Sequence, residues 1–72
     1  MKNFTKAEMK TWYLNAVKSV LILHNGLLPE DADRVILSYG LASLLDKCPD
    51  AQMHDSPKAV VAEMVAMGLM PY

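Results

Sequence analysis

The stretch PEDADRVILSYGLASLLDK, residues 29–47, decides how this chain folds. At 100° per residue, the turn of an α-helix, its apolar side chains fall on two nearly opposite faces. One face holds Ala32, Val35, Ile36 and Tyr39, and the other holds Leu37, Leu41, Leu44 and Cys48. A helix with so little polar surface is stable in water only when it is covered from two sides. The sequence therefore predicts a central helix over residues 29–47 with neighbours on both faces.

A second helix is predicted upstream, over residues 6–25. Thr5 and Glu8 have the spacing of a capping box, in which each side chain accepts a hydrogen bond from the other residue's backbone N–H. Gly26 is expected to end the helix because glycine readily adopts the left-handed conformation. The apolar positions of this helix cover an arc of about 200°. One neighbouring helix hides about half of that arc, so we expect a third helix or a second copy of the chain on the remainder.

A third helix is predicted over residues 57–67. Ser56 is a favourable N-cap, Pro57 suits the first turn, and Gly68 is expected to end the helix. The chain is therefore predicted to be an all-α, compact three-helix bundle that forms one domain over residues 1–72.

The size and composition of the chain favour self-association. A domain of 72 residues buries only about 60% of the surface that its unfolded chain exposes. Its hydrophobic fraction of 53% is high for so small a monomer. We therefore expect a homodimer that completes its core between the first and second helices.

Charge is distributed unevenly along the sequence. Residues 1–25 carry Lys2, Lys6, Lys10 and Lys18 against Glu8 alone, whereas the remainder is acidic. Two interpretations stay open: the first helix is a basic docking face, or its lysines complement the acidic remainder of the same chain. The net charge of −1 argues against a general nucleic-acid binder. A nucleic-acid-binding regulator that uses the first helix is kept as the alternative function.

No catalytic or metal-binding pattern is recognisable. His24, Cys48 and His54 are the soft potential ligands of the chain, and they lack the close pair that zinc sites commonly contain. We therefore expect no enzyme activity, no metal and no cofactor. A lone cysteine excludes an internal disulfide and fits a reducing compartment, most simply the cytoplasm. We expect no membrane segment, because no apolar run approaches the ~20 residues that span a bilayer.

The first helix also carries the candidate binding residues. Trp12 and Tyr13 point about 100° apart, so only one of them faces the middle of the core. The other lies near two lysines, and an aromatic ring beside cations is typical of interface anchors; the open alternative is that both rings only cap a small core. The predicted protein-binding residues are Lys6, Lys10, Trp12, Tyr13, Val17 and Leu21. The expected function is that of a small regulatory, adaptor or inhibitor protein, and a bacterial or phage source fits its size.

Overall fold

The computed structural model describes residues 5–47 and 55–71, and within these ranges the chain forms four α-helices and no strand. They are α1 (Lys6–Leu23), α2 (Pro29–Tyr39), α3 (Leu41–Lys47) and α4 (Pro57–Ala66). The longest helix, α1, packs against each of the other three. The predicted all-α class is confirmed, whereas the predicted count of three helices is not. The helix at the centre is α1, rather than the stretch 29–47.

Both ends of α1 follow local signals in the sequence. The Thr5 hydroxyl accepts a hydrogen bond from the Glu8 backbone N–H, and the Glu8 carboxylate accepts one from the Thr5 N–H, each at 3.1 Å. This is the predicted capping box. The helix ends at Leu23, two residues before the predicted end. Gly26 then has a φ of +70° and donates its N–H to the Ile22 carbonyl at 3.1 Å, which closes the helix with a left-handed cap.

The predicted continuous helix over residues 29–47 is wrong, because the chain breaks at Gly40. Gly40 lies in the left-handed region, with φ +77° and ψ +28°. Its N–H donates to the carbonyls of Ile36 and Leu37, each at 3.1 Å, and α3 begins at the next residue. A Cβ built at this position meets no atom within 4 Å. Close approach by a neighbour therefore does not explain this glycine, whereas its backbone conformation does.

The break changes which side chains of this stretch are buried. The buried ones are Ala32, Val35, Leu41 and Leu45. Leu37 is 81% exposed, and Leu44 is also exposed. A left-handed residue turns the chain, so positions after it do not continue the wheel of the helix before it. The predicted second buried face is therefore wrong for Leu37 and Leu44, whereas Leu41 is buried as predicted. Its remaining member, Cys48, lies outside the described residues.

The hydrophobic core lies between α1 and the three shorter helices. Its α1 members are Tyr13, Val17 and Leu21, and its α4 members are Val60, Val61 and Met64. At the start of α4 the Ser56 hydroxyl accepts a hydrogen bond from the Ala59 N–H at 3.2 Å, as predicted for an N-cap. At its end Leu69 donates its N–H to the Met64 carbonyl across Gly68, which has a φ of +74°. The helix ends at Ala66, one residue before the predicted end.

Candidate functional site

Tyr13, and not Trp12, faces the core. Tyr13 is buried, and its hydroxyl donates a hydrogen bond to the Asp55 carbonyl oxygen at 2.8 Å. Trp12 is 66% exposed on the outer side of α1. The aromatic residue available to a partner at this point of α1 is therefore Trp12.

Two other predicted binding residues are also interior. Val17 and Leu21 have no exposed surface in the folded chain. Together with Tyr13 they form the line along which α1 contacts the remaining helices. The solvent-exposed surface of α1 therefore lies on a different side of the helix.

The lysines of α1 are largely used within the chain. The Lys10 ammonium lies 2.7 Å from an Asp46 carboxylate oxygen, and the Lys18 ammonium lies 3.0 Å from one of Asp33. These pairs connect α1 to α3 and to α2 respectively. Lys6 is exposed. Of the two interpretations of the charge asymmetry, internal complementarity therefore accounts for two of the lysines on this helix.

One side of α1 carries five apolar and small side chains, four of which the other helices leave exposed. We call it the α1 strip, and its members are Met9, Trp12, Ala16, Ser19 and Leu23. The spacing alternates between three and four residues, which is the period of a helix–helix seam. Met9 is 44% exposed and Leu23 is 79% exposed; Ala16 is half-buried and Ser19 is exposed. The strip contains no charged residue and lies about 120° around the helix from the buried line.

Two open depressions lie on the surface of α1. One, of about 410 Å³, is lined by Ala7, Glu8, Thr11, Trp12 and Asn15. The other, of about 320 Å³, lies between α1, α2 and α3 and is lined mainly by apolar and small residues, with the Lys18–Asp33 pair among them. Asn15 lines both depressions, and the exposed Leu37 belongs to the second. The depression next to Trp12 is shallow and widely open to solvent.

Tyr39 connects α2 to α4. Its hydroxyl donates a hydrogen bond to a Glu63 carboxylate oxygen at 2.8 Å. Desolvation by burial, followed by this hydrogen bond and the charge of Glu63, raises the pKa of Tyr39 from 10.0 to about 12. A phenol held in its neutral form by a carboxylate is a structural contact, and it lacks the lowered pKa of an activated nucleophile.

Residues 5–47 and 55–71 contain no group of three or more His, Cys, Asp and Glu residues arranged to hold a metal ion. Cys48 and His54 lie outside these ranges, so the expectation about them and His24 stays a prediction. None of the described helices has both the length and the apolar character that crossing a membrane requires. Comparison of the chain with protein-family models, with curated proteins and with solved structures finds no match.

Proposed function

We propose that this protein is a small, non-catalytic protein-binding module whose contact surface is the α1 strip. The observation that carries the proposal is the exposure of Trp12 on a strip whose other two large apolar side chains, Met9 and Leu23, are also exposed. A tryptophan buries up to ~250 Å², so covering the exposed two thirds of this one contributes on the order of 4 kcal/mol at ~25 cal/mol per Å². No other exposed side chain among the described residues combines this size with an aromatic ring.

The strip has the composition of an interaction surface. Tryptophan is enriched among the residues that dominate binding energies, and methionine adapts its shape to different partners. The strip lies on a helix that is held in the core by Tyr13, Val17 and Leu21, about 120° around its axis. A partner therefore meets a surface whose backbone is already ordered, which lowers the entropic cost of binding.

The role that fits such a surface is that of a regulatory, adaptor or inhibitor protein. The lone cysteine of the 72-residue sequence suits a reducing compartment, and we propose the cytoplasm. The nucleic-acid alternative requires lysines that are free to contact phosphates. Lys10 and Lys18 instead bind Asp46 and Asp33, so the contacts within the chain support the protein-binding role over the nucleic-acid role.

Site-specific photo-crosslinking in the cell that produces the protein tests this proposal. A benzophenone amino acid replaces Trp12 or Leu23 in the strip, and the matched control carries it at Arg34, an exposed position on α2. We expect both strip positions to crosslink to the same protein, and position 34 not to do so. The proposal fails if the strip positions give no adduct, or if all three positions give the same adducts at the same yield.

A further inference from the structure

We propose that the occupant of the α1 strip is the α1 strip of a second copy of this chain, with the two helices antiparallel about a two-fold axis. This inference rests on the proposed function, because it names the partner of the same surface. A two-fold interface requires one patch to be complementary to itself. The question is therefore whether the strip fits a reversed copy of itself.

The order of side chains along the strip meets this requirement. Its small residues, Ala16 and Ser19, lie in the middle, and its bulky residues lie towards the ends. In an antiparallel pair, Ala16 then faces Ser19 of the second copy, and Trp12 faces Leu23 of the second copy. Small residues at the crossing point allow two helix backbones to approach closely, because interaxial distances depend on the side chains at the contact. The bulky residues then cover one another on either side of the crossing.

The charges of the chain do not oppose this pairing. The strip is uncharged, and Lys10 and Lys18 lie on the other side of the buried line, paired with Asp46 and Asp33. Glu8 borders the strip beside Trp12, but an antiparallel pair places the two Glu8 side chains at opposite ends of the interface. Two copies of α1 thus meet without bringing like charges together, although α1 is the most basic helix. Juxtaposed like charges would have selected against self-pairing.

The exposed area predicts a weak and reversible dimer. The exposed surface of Met9, Trp12 and Leu23 adds up to roughly 400 Å² in each copy, if a fully exposed large residue presents ~200 to 250 Å². Two copies therefore bury about 800 Å² from these residues, to which flanking side chains add. Interfaces below about 1,200 Å² are typical of transient association. We expect a dimer whose population rises with protein concentration across the micromolar range.

Sedimentation velocity over a concentration series of about 5 to 500 µM, combined with fluorescence, tests the pairing. Trp12 is the one tryptophan in the sequence, so its emission reports on the strip alone. We expect the sedimenting mass to rise from 8.0 kDa towards twice that value, with a parallel blue shift of the emission. A constant mass and constant emission over the series would overturn the inference.

Charge substitutions then locate the interface. Ser19→Glu places like charges next to the two-fold axis and should weaken the dimer at least about tenfold. The matched control, Ser38→Glu, makes the same change at an exposed position of α2 and should leave the dimer unchanged. An equimolar mixture of S19E and S19K should restore the association, because opposite charges then meet. Circular dichroism checks that each variant is folded, and Leu23→Lys, at an exposed end of the strip, supplies a second disruption.

The outcomes separate this inference from the proposed function. If S19E and L23K dimerise as strongly as wild type, or if the S19E and S19K mixture stays monomeric, the pairing is overturned. If the chain is monomeric and positions 12 and 23 crosslink to a different protein, the proposed function holds and the self-pairing fails. If the dimer forms through the strip and the only adduct in cells is a second copy, both are supported.

Discussion

Replacing Gly40 with alanine should destabilise the protein, although alanine is the better helix former. Gly40 has φ +77° and ψ +28°, and an L-residue in the left-handed region costs about 1–2 kcal/mol. Alanine also restricts the unfolded chain, which offsets ~0.4–1 kcal/mol of that cost. The added Cβ meets no other part of the protein within 4 Å, so no tertiary clash adds to this local backbone cost. The net loss of unfolding free energy is therefore about 1 kcal/mol.

The sign of this effect distinguishes the broken helix from a continuous one. If residues 29–47 formed one helix, the same substitution would stabilise it by about 1 kcal/mol, because glycine in a helix interior is that much less favourable than alanine. The assay is urea unfolding followed by circular dichroism, supported by thermal unfolding. For a domain of this size, 1 kcal/mol shifts the midpoint temperature by roughly 4–8 °C. Such a shift is readily measured.

A D-alanine at position 40 provides the matched control, since a chain of 72 residues is accessible to chemical synthesis. It has the same number of atoms as the L-alanine variant, but its mirror-image sterics favour a positive φ. We expect D-alanine to stabilise the fold relative to glycine. Greater stability of the L-alanine variant than of wild type, or equal destabilisation by both enantiomers, would refute the left-handed assignment.

The remaining predictions concern two tyrosines and the lysines of α1. Tyr13→Phe removes the hydroxyl that donates a hydrogen bond to the Asp55 carbonyl and should lower the unfolding free energy by about 1 kcal/mol in urea titrations. An unchanged unfolding free energy would show that this hydrogen bond does not stabilise the fold. Because the pKa of Tyr39 is raised from 10.0 to about 12, its contribution is complete below pH 10 and is lost as the pH rises through 12. The unfolding free energy should therefore fall more between pH 9 and pH 11 in wild type than in Tyr39→Phe. Equal falls in the two proteins would contradict a contribution from the raised pKa of Tyr39. In fluorescence anisotropy titrations, we expect the wild-type protein not to bind duplex DNA in a salt-dependent way. Salt-dependent binding by wild type that the Lys6→Gln/Lys10→Gln variant lacks would favour the nucleic-acid alternative.

The helix ends were predictable because their signals are local. Thr5 and Glu8 are three residues apart, and each satisfies the other's backbone N–H whatever the rest of the chain does. Ser56 and Gly68 likewise act within one turn of α4. Such contacts depend on a few neighbouring residues, so one sequence contains all the information they need.

The break at Gly40 was not predictable in the same way. A glycine inside an apolar helical pattern is compatible both with a helix interior, at a cost of about 1 kcal/mol, and with a left-handed helix end. The choice depends on whether Leu41 and Leu45 bury more surface after a turn than along a straight helix. In the structure both leucines are buried, and that gain depends on α1, which is distant in sequence.

Which of the two aromatic residues of α1 faces the core likewise depends on contacts with residues distant in sequence. A helical wheel places Trp12 and Tyr13 on different sides but does not say which side is covered. Tyr13 is distinguished by its hydrogen bond to Asp55, a residue 42 positions away. A hydroxyl buried without a partner costs free energy, so the residue with a partner is the one that enters the core. The sequence shows that Tyr13 and Asp55 are present but does not show that they lie close together in the fold.

The exposure of the α1 strip follows from where the shorter helices lie around α1. Lys18 meets α2 at Asp33, and Lys10 meets α3 at Asp46, so both helices lie on the side of the buried line that is away from Trp12. A continuous helix over residues 29–47 would have placed Leu37 and Leu44 inside a larger core, with neighbours needed on two faces of that helix. After the break, α2 and α3 share one side of α1, and part of its wide apolar arc has no helix to cover it. Exposed apolar side chains therefore remain on α1 at Met9, Trp12 and Leu23, and Leu37 on α2 is exposed as well, so the apolar surplus of the sequence is uncovered on more than one helix.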